Sequence, residues 1–92
     1  MAFVMTRINV GDYDAWKPMF DEERPGGARA ASKGWRLFRN VDDPGEVFIQ
    51  VEFGSLEEAK EAREKLLASG VLDPFSDKSE PKVVEVAEEV SR

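Results

Sequence analysis

The feature that most constrains the fold is a strand–turn–strand pattern in the middle of the chain. Residues 35–41, WRLFRNV, and residues 46–53, EVFIQVEF, are rich in β-branched and aromatic side chains and partly alternate in polarity. The intervening DDPG at 42–45 is typical of a tight turn, because Pro44 presets its own φ and Gly45 is conformationally free. These residues predict a β-hairpin.

The first third of the chain predicts a strand followed by a helix. Residues 2–10, AFVMTRINV, have strand composition, and Gly11 ends the segment. Asp12 or Asp14 can then cap a helix by accepting hydrogen bonds from its free first-turn amides. Helical spacing of i, i+3 and i+7 places three aromatic residues, Tyr13, Trp16 and Phe20, on one face. Met19 is expected beside them. The RPGG segment at 24–27 predicts the end of this helix.

The last third predicts a second helix and a final strand. Ser55 and Glu58 form a capping box, which places a helix over 56–69, with Gly70 as its terminating residue. Residues 70–80 read as a loop with one short turn. Residues 81–90, PKVVEVAEEV, are predicted to close the chain as a fourth strand.

The resulting order is β-α-β-β-α-β, the ferredoxin-like α+β topology, in a single domain over 1–92. Right-handed crossovers place both helices on one face of a four-stranded antiparallel sheet. The opposite face would then expose Phe38 and Phe48, so we expect a second copy of the chain to cover it. A homodimer that closes an α/β barrel is predicted, the more so because a lone core of this size is only marginally stable.

Composition restricts the chemistry. The chain has neither cysteine nor histidine, which removes disulfides, thiol nucleophiles, imidazole catalysis and the usual ligands of zinc or haem. We therefore expect no metal and no cofactor. The 13 basic residues against 19 acidic ones give a net charge of -6, which argues against nucleic acid as a partner. Arg7 interrupts the apolar N-terminus too early for a signal peptide or a membrane span, so we expect a cytoplasmic protein without membrane association.

Five segments together resemble a known group of proteins, and the similarity runs over nearly the whole chain. They are DYDAWKPMFDE (12–22), GWRLFRNVDDPGEVFIQVEF (34–53), SLEEAKEA (55–62), GVLDP (70–74) and VVEVAEEV (83–90). The sequence resembles the dimeric α/β-barrel proteins, and within them small uncharacterised members close to the antibiotic-biosynthesis monooxygenases. This resemblance implies two ferredoxin-like subunits whose sheets face each other, with the helices outside.

The resemblance also implies a range of activities. Proteins of this superfamily include cofactor-free oxygenases of polycyclic aromatic substrates, haem-degrading enzymes, polyketide cyclases and members without known activity. Haem degradation relies on a histidine ligand, which this chain lacks. Many narrower relatives carry a histidine late in the first strand, where this sequence reads TRIN at 6–9.

Each candidate site residue has two interpretations, one structural and one functional. Tyr13 and Trp16 either belong to the sheet-facing core stripe of the first helix or line a cavity that takes a small apolar or aromatic ligand. The polar candidates either pair with glutamates such as Glu46, Glu52 or Glu85 across strands, or bind an anionic or phenolate oxygen of a ligand. These candidates are Arg7, Arg36, Arg39 and Asn40.

Three functions stay open at this point. The first is a cofactor-independent monooxygenase or cyclase acting on a small aromatic or polyketide-like substrate, with Tyr13 or a carboxylate of raised pKa performing acid–base work. The second is a non-catalytic dimeric ligand-binding or stress-type protein. The third is a protein-interaction module.

Overall fold

The structure, a computed structural model, describes residues 1–22, 27 and 29–92. The elements in chain order are β1 (Ala2–Asn9), α1 (Tyr13–Asp21), β2 (Gly34–Arg39), β3 (Glu46–Phe53), α2 (Leu56–Ser69) and β4 (Lys78–Glu85). The strands form one sheet in the order β2-β3-β1-β4, with antiparallel pairing throughout. The predicted β-α-β-β-α-β order and ferredoxin-like fold are confirmed.

Strand β3 and helix α2 have the predicted bounds because their local signals are strong. The Ser55 hydroxyl accepts a hydrogen bond from the Glu58 amide at 3.1 Å, as an N-cap does. At the other end Gly70 adopts φ 71°, the left-handed conformation that ends helices with little strain when the residue is glycine.

Helix α1 begins where its cap predicts. The Asp12 carboxylate accepts from the amides of Asp14 and Ala15 at 3.1 and 3.3 Å. The helix ends at Asp21, and most of the predicted RPGG stop lies outside the described residues. Met19, expected beside the aromatic stripe, is largely exposed instead.

The bounds of the fourth strand were predicted wrongly. Strand β4 begins three residues earlier than expected and ends at Glu85, because its antiparallel partner β1 begins at Ala2, which is opposite Glu85. Residues beyond that point have no strand beside them in the sheet. The early start is accommodated by a bulge, in which Glu80 and Pro81 together face the single residue Thr6. A bulge tolerates proline because one residue of the pair does not take part in the ladder.

Strand β2 is also shorter than predicted. It spans Gly34–Arg39, so Asn40 and Val41 lie just beyond its end. The Asn40 amide still donates to the Glu46 carbonyl at 3.0 Å, which closes the turn at 42–45.

The core lies between the sheet and the helices. Val4, Val51 and Phe53 meet Ala59 and Ala62 of α2 in one buried cluster. A second cluster joins the N-terminal end of α1 to the sheet and to the 70–75 turn through Ile8, Trp16, Val47 and Leu72. Both clusters use the same side of β1, so both helices cover one face of the sheet.

One glycine is required by close packing. A side chain at Gly45 would lie 2.7 Å from the Gly11 carbonyl oxygen and 2.9 Å from Asn9 Oδ1. The Gly45 carbonyl also accepts from the Val10 amide at 2.8 Å. The hairpin turn therefore fixes the connection between β1 and α1.

Neither described helix is long and apolar enough to cross a lipid bilayer.

Candidate functional site

The aromatic residues of α1 form a continuous row along the helix. The Tyr13 and Trp16 ring centroids are 6.0 Å apart, and those of Trp16 and Phe20 are 5.0 Å apart. Trp16 is buried and contacts the second core cluster, whereas Tyr13 and Phe20 are half-buried at its margin. One ring therefore anchors the helix and two keep an accessible edge.

Two arginine side chains lie against this row. The Arg39 guanidinium carbon is 4.6 Å from the Tyr13 ring centroid. The Arg29 guanidinium carbon is 4.0 Å from the Phe20 ring and 4.8 Å from the Trp35 ring of β2, and the Arg29 guanidinium donates to the Phe20 carbonyl. These are cation–π distances, so each end of the aromatic row faces a positive charge.

The sheet face opposite the helices forms a second candidate surface, which we call the open face. The strand register places one set of apolar side chains on it: Phe3, Met5, Phe38, Phe48 and Val84. Phe38 and Phe48 are directly opposite each other and are 48% and 37% exposed. An apolar surface of this kind on a sheet is typical of a binding interface.

One end of the open face carries an ionic row that crosses the sheet. Arg7 on β1 donates from Nε to Glu46 at 2.6 Å and from a terminal nitrogen to Asp77 at 2.7 Å. Asn40 donates to the other Glu46 oxygen at 2.9 Å. Two polar side chains, Asp77 and Asn40, therefore hold the Arg7–Glu46 pair in place from either side.

This row shifts the ionisation of its members. The Asn40 amide and then the Arg7 guanidinium, both hydrogen-bonded to Glu46, lower the pKa of that carboxyl group. The hydrogen bond from Arg7 also lowers the pKa of Asp77, and the two carboxylates raise the pKa of Arg7. Both acids are thus held ionised, which is the opposite of what a carboxylate general base near neutral pH requires.

The six predicted site residues fall into two groups. Tyr13, Trp16 and Arg39 come together at α1, on the helix-covered side of the sheet. Arg36 is exposed on the open face opposite Gln50, and Arg7 and Asn40 belong to the ionic row. The sheet separates these two groups, so they cannot form one pocket within one subunit.

Sequence reasoning missed two contributors. Arg29 lies outside every helix and strand, so no periodicity predicts its position. Asp77 lies in the predicted 70–80 loop, immediately before β4, and the strand register places it two residues before Ser79, the residue opposite Arg7. The contact of Arg7 with Glu46 is one of the predicted cross-strand pairs.

The hollows beside α2 do not coincide with the aromatic row. One of about 80 Å³ lies between α2 and three small residues, Gly27, Ala30 and Ala31, against Phe53 and Ala62. A cavity that holds benzene is about 150 Å³, so this one is too small for an aromatic ligand. Within residues 1–22, 27 and 29–92, no three acidic side chains are grouped as metal ligands.

Comparison with known proteins supports the fold. No protein-family model matches the chain, and no curated protein matches its sequence. Among solved structures, the chain is similar to a Deinococcus radiodurans protein described as a "putative antibiotic biosynthesis monooxygenase". The superposition covers 100% of this chain and 98% of that one, with a TM-score of 0.61 and 10% identity. The resemblance inferred from the sequence is thus confirmed at the level of the fold.

Proposed function

We propose that this protein is a homodimeric α/β-barrel enzyme that oxidises or cyclises a small aromatic substrate without a cofactor. The observation that carries the proposal is the Tyr13–Arg39 pair at the end of the aromatic row, 4.6 Å apart. An apolar ring surface, a phenol hydroxyl and a guanidinium cation thus lie close together. The monooxygenase-like fold of the structural neighbour is consistent with this chemistry.

The dimer part of the proposal rests on the open face. Phe38 on edge strand β2 and Phe48 and Met5 on the two central strands are each more than a third exposed there. The same face carries the cations Arg36 and Lys82 at its two edges and an acidic excess in the ionic row. A second copy docked sheet to sheet would bury the apolar residues and could oppose these charges.

The residues at α1 suit one reaction class. An activated aromatic CH₂ group can be oxidised by O₂ to a carbonyl group with release of water, and the substrate supplies all the electrons. Arg39 would hold the phenolate oxygen on which negative charge develops, and the Tyr13 hydroxyl would relay the proton lost from carbon. The apolar row would orient the rings of the substrate.

A specific observation favours a second candidate, a non-catalytic ligand-binding protein. The carboxylates of the ionic row have lowered pKa values, and both are engaged by Arg7. They are therefore unsuited to abstract a proton, and acid–base work would fall to the Tyr13 hydroxyl. Binding without turnover needs only the aromatic wall and Arg39.

Oxygen uptake with anthrone as the substrate separates the two candidates. We expect the protein to consume O₂ and form anthraquinone, Tyr13→Phe and Arg39→Gln to reduce the rate at least tenfold, and Lys60→Gln, an exposed change on α2, to leave it unchanged. Quenching of tryptophan fluorescence without oxygen uptake would instead support the binding protein. If anthrone neither binds nor reacts, both candidates fail.

A further inference from the structure

The two helices are attached to the sheet in different ways. The backbone of α2 comes within 8 Å of β1, β3 and β4, whereas no Cα atom of α1 comes within 8 Å of any described strand or of α2. The side chains explain the difference. Helix α2 faces the sheet with Ala59 and Ala62, which allow close approach, and α1 faces it with Trp16 between two other rings.

Helix α1 is also weakly stabilised by its own backbone. It has only nine residues, and Pro18 lies inside it, so the Asp14 carbonyl loses the amide that would bond to it. After the last helical residue, Asp21, the C-cap residue Glu22 is extended rather than left-handed. A short helix of this kind depends on tertiary contacts to persist.

Trp16 supplies the buried contacts of α1 in its middle, and the arginine contacts lie at its two ends, on the β2 side of the sheet. Near the first turn, the Tyr13 ring is in contact with Arg39, the last residue of β2. Near the last turn, Phe20 is in contact with Arg29, which also contacts Trp35 at the start of β2. Only Trp16, between these two ends, is buried.

From this arrangement we propose that α1 is a mobile element lining the ligand site and that contacts of Arg29 and Arg39 hold it against the edge strand β2. We call these two contacts the latch. Release of both contacts lets α1 turn away from the sheet while α2 stays in place, and this exposes the edge of the aromatic row to an incoming planar ligand. Because Trp16 must leave the core, the open form is a minor state that the ligand selects. The part of this proposal that concerns ligand entry rests on the proposed function.

Hydrogen exchange measured by NMR tests the latch without any ligand. In the wild type, we expect the hydrogen-bonded amides of α1 to exchange at least tenfold faster than those of α2. Arg29→Gln and Arg39→Gln should each speed exchange in α1 about threefold, and together about tenfold, with α2 changed less than twofold. Arg36→Gln is the matched control, since Arg36 is also exposed on β2 but lies on the open face; it should leave α1 unchanged.

Equal protection of α1 and α2, or equal acceleration of both by the double variant, would overturn the latch. Those results would show that the arginines stabilise the whole domain rather than one helix.

Stopped-flow tryptophan quenching with 1-naphthol tests the role of α1 in ligand entry. The association rate constant should rise in the double variant by about the same factor as the opening of α1. Binding with an unchanged association rate would overturn the entrance role alone and leave the proposed function standing. Absence of naphthol binding to the wild type, combined with no reaction of anthrone, would overturn the proposed function and the entrance role together.

Discussion

The two faces of the sheet are made by alternate residues of the same strands, yet they are held in different ways. On the helix-covered face, Val4, Val51 and Phe53 are buried among the side chains of α2. On the open face, Phe38 and Phe48 are opposite each other and remain substantially exposed. The fold of one subunit accounts for the first set of apolar residues and does not account for the second, so the second set points to a partner.

The largest effect expected from this difference is on stability. Phe53→Ala removes a side chain that is 1% exposed and should cost about 3–5 kcal/mol, from lost burial and a cavity that cannot collapse fully. Phe48→Ala changes a side chain on the open face of the same strand, β3. It should cost about 1 kcal/mol or less in a dissociated monomer. Urea unfolding at low protein concentration measures both. Equal costs would show that the open face is as much a part of the core as the covered one.

On the covered face, a substitution in α1 is expected to have an intermediate effect on the free energy of unfolding. Trp16→Ala should cost about 3 kcal/mol, because the indole is 9% exposed and contacts Ile8 and Val47. Met19→Ala on the same helix, where the side chain is 71% exposed, is the control and should cost less than about 0.5 kcal/mol. If Trp16→Ala costs only about 1 kcal/mol and the fold persists, Trp16 lines an open pocket rather than the core.

The open face is tested through association. Light scattering of the wild type should give twice the 10.3 kDa chain mass. Phe48→Asp places a charge in the predicted interface and should weaken association at least about thirtyfold, as loss of an interface hot spot does. Leu67→Asp changes an apolar residue of similar exposure on α2 and should leave the mass unchanged. A monomeric wild type would refute the dimer directly.

The sequence predicts the bounds of a helix or strand correctly where they are set by neighbouring residues of the chain. The cap at Ser55 and the alternation over 46–53 are local, and the corresponding elements have the predicted bounds. The end of β4 depends on where β1 begins, which is a pairing between distant residues, and the local run of valines extended the prediction too far. Tertiary pairing thus overrode local strand propensity.

The same distinction applies to the candidate site. The aromatic row follows from helical spacing, so Tyr13, Trp16 and Phe20 could be placed together from the sequence. Alternation along β2 separates Arg36 from Arg39 on the two faces of the sheet, but it does not show which aromatic ring an arginine contacts. Arg39 contacts Tyr13 because β2 is the strand next to α1 at this edge, and Arg29 reaches Phe20 from an irregular segment. Both placements are properties of the assembled fold.

The smallest effect expected concerns the pH dependence conferred by the ionic row of the open face. Folding lowers the pKa values of Glu46 and Asp77 below their ordinary values of 4.5 and 3.8. A lowered carboxyl pKa contributes stability that is fully present above the ordinary value and is lost as the pH falls through the lower, folded-state value. Arg7→Met removes the cation that both acids share, so their pKa values should move back up and this contribution should disappear. The stability difference between wild type and Arg7→Met should therefore be constant from pH 8 to about pH 5.5 and should shrink on further acidification towards pH 2.

Lys17→Met, which breaks the exposed i,i+4 pair with Asp21 on α1, is the control and should show a weaker dependence, since exposed pairs are screened by water and salt. Urea unfolding across this pH range measures all three proteins. If the wild-type and Arg7→Met curves stay parallel down to pH 2, the Arg7 contacts do not stabilise the ionised acids, and the open face would be held together by its apolar residues alone.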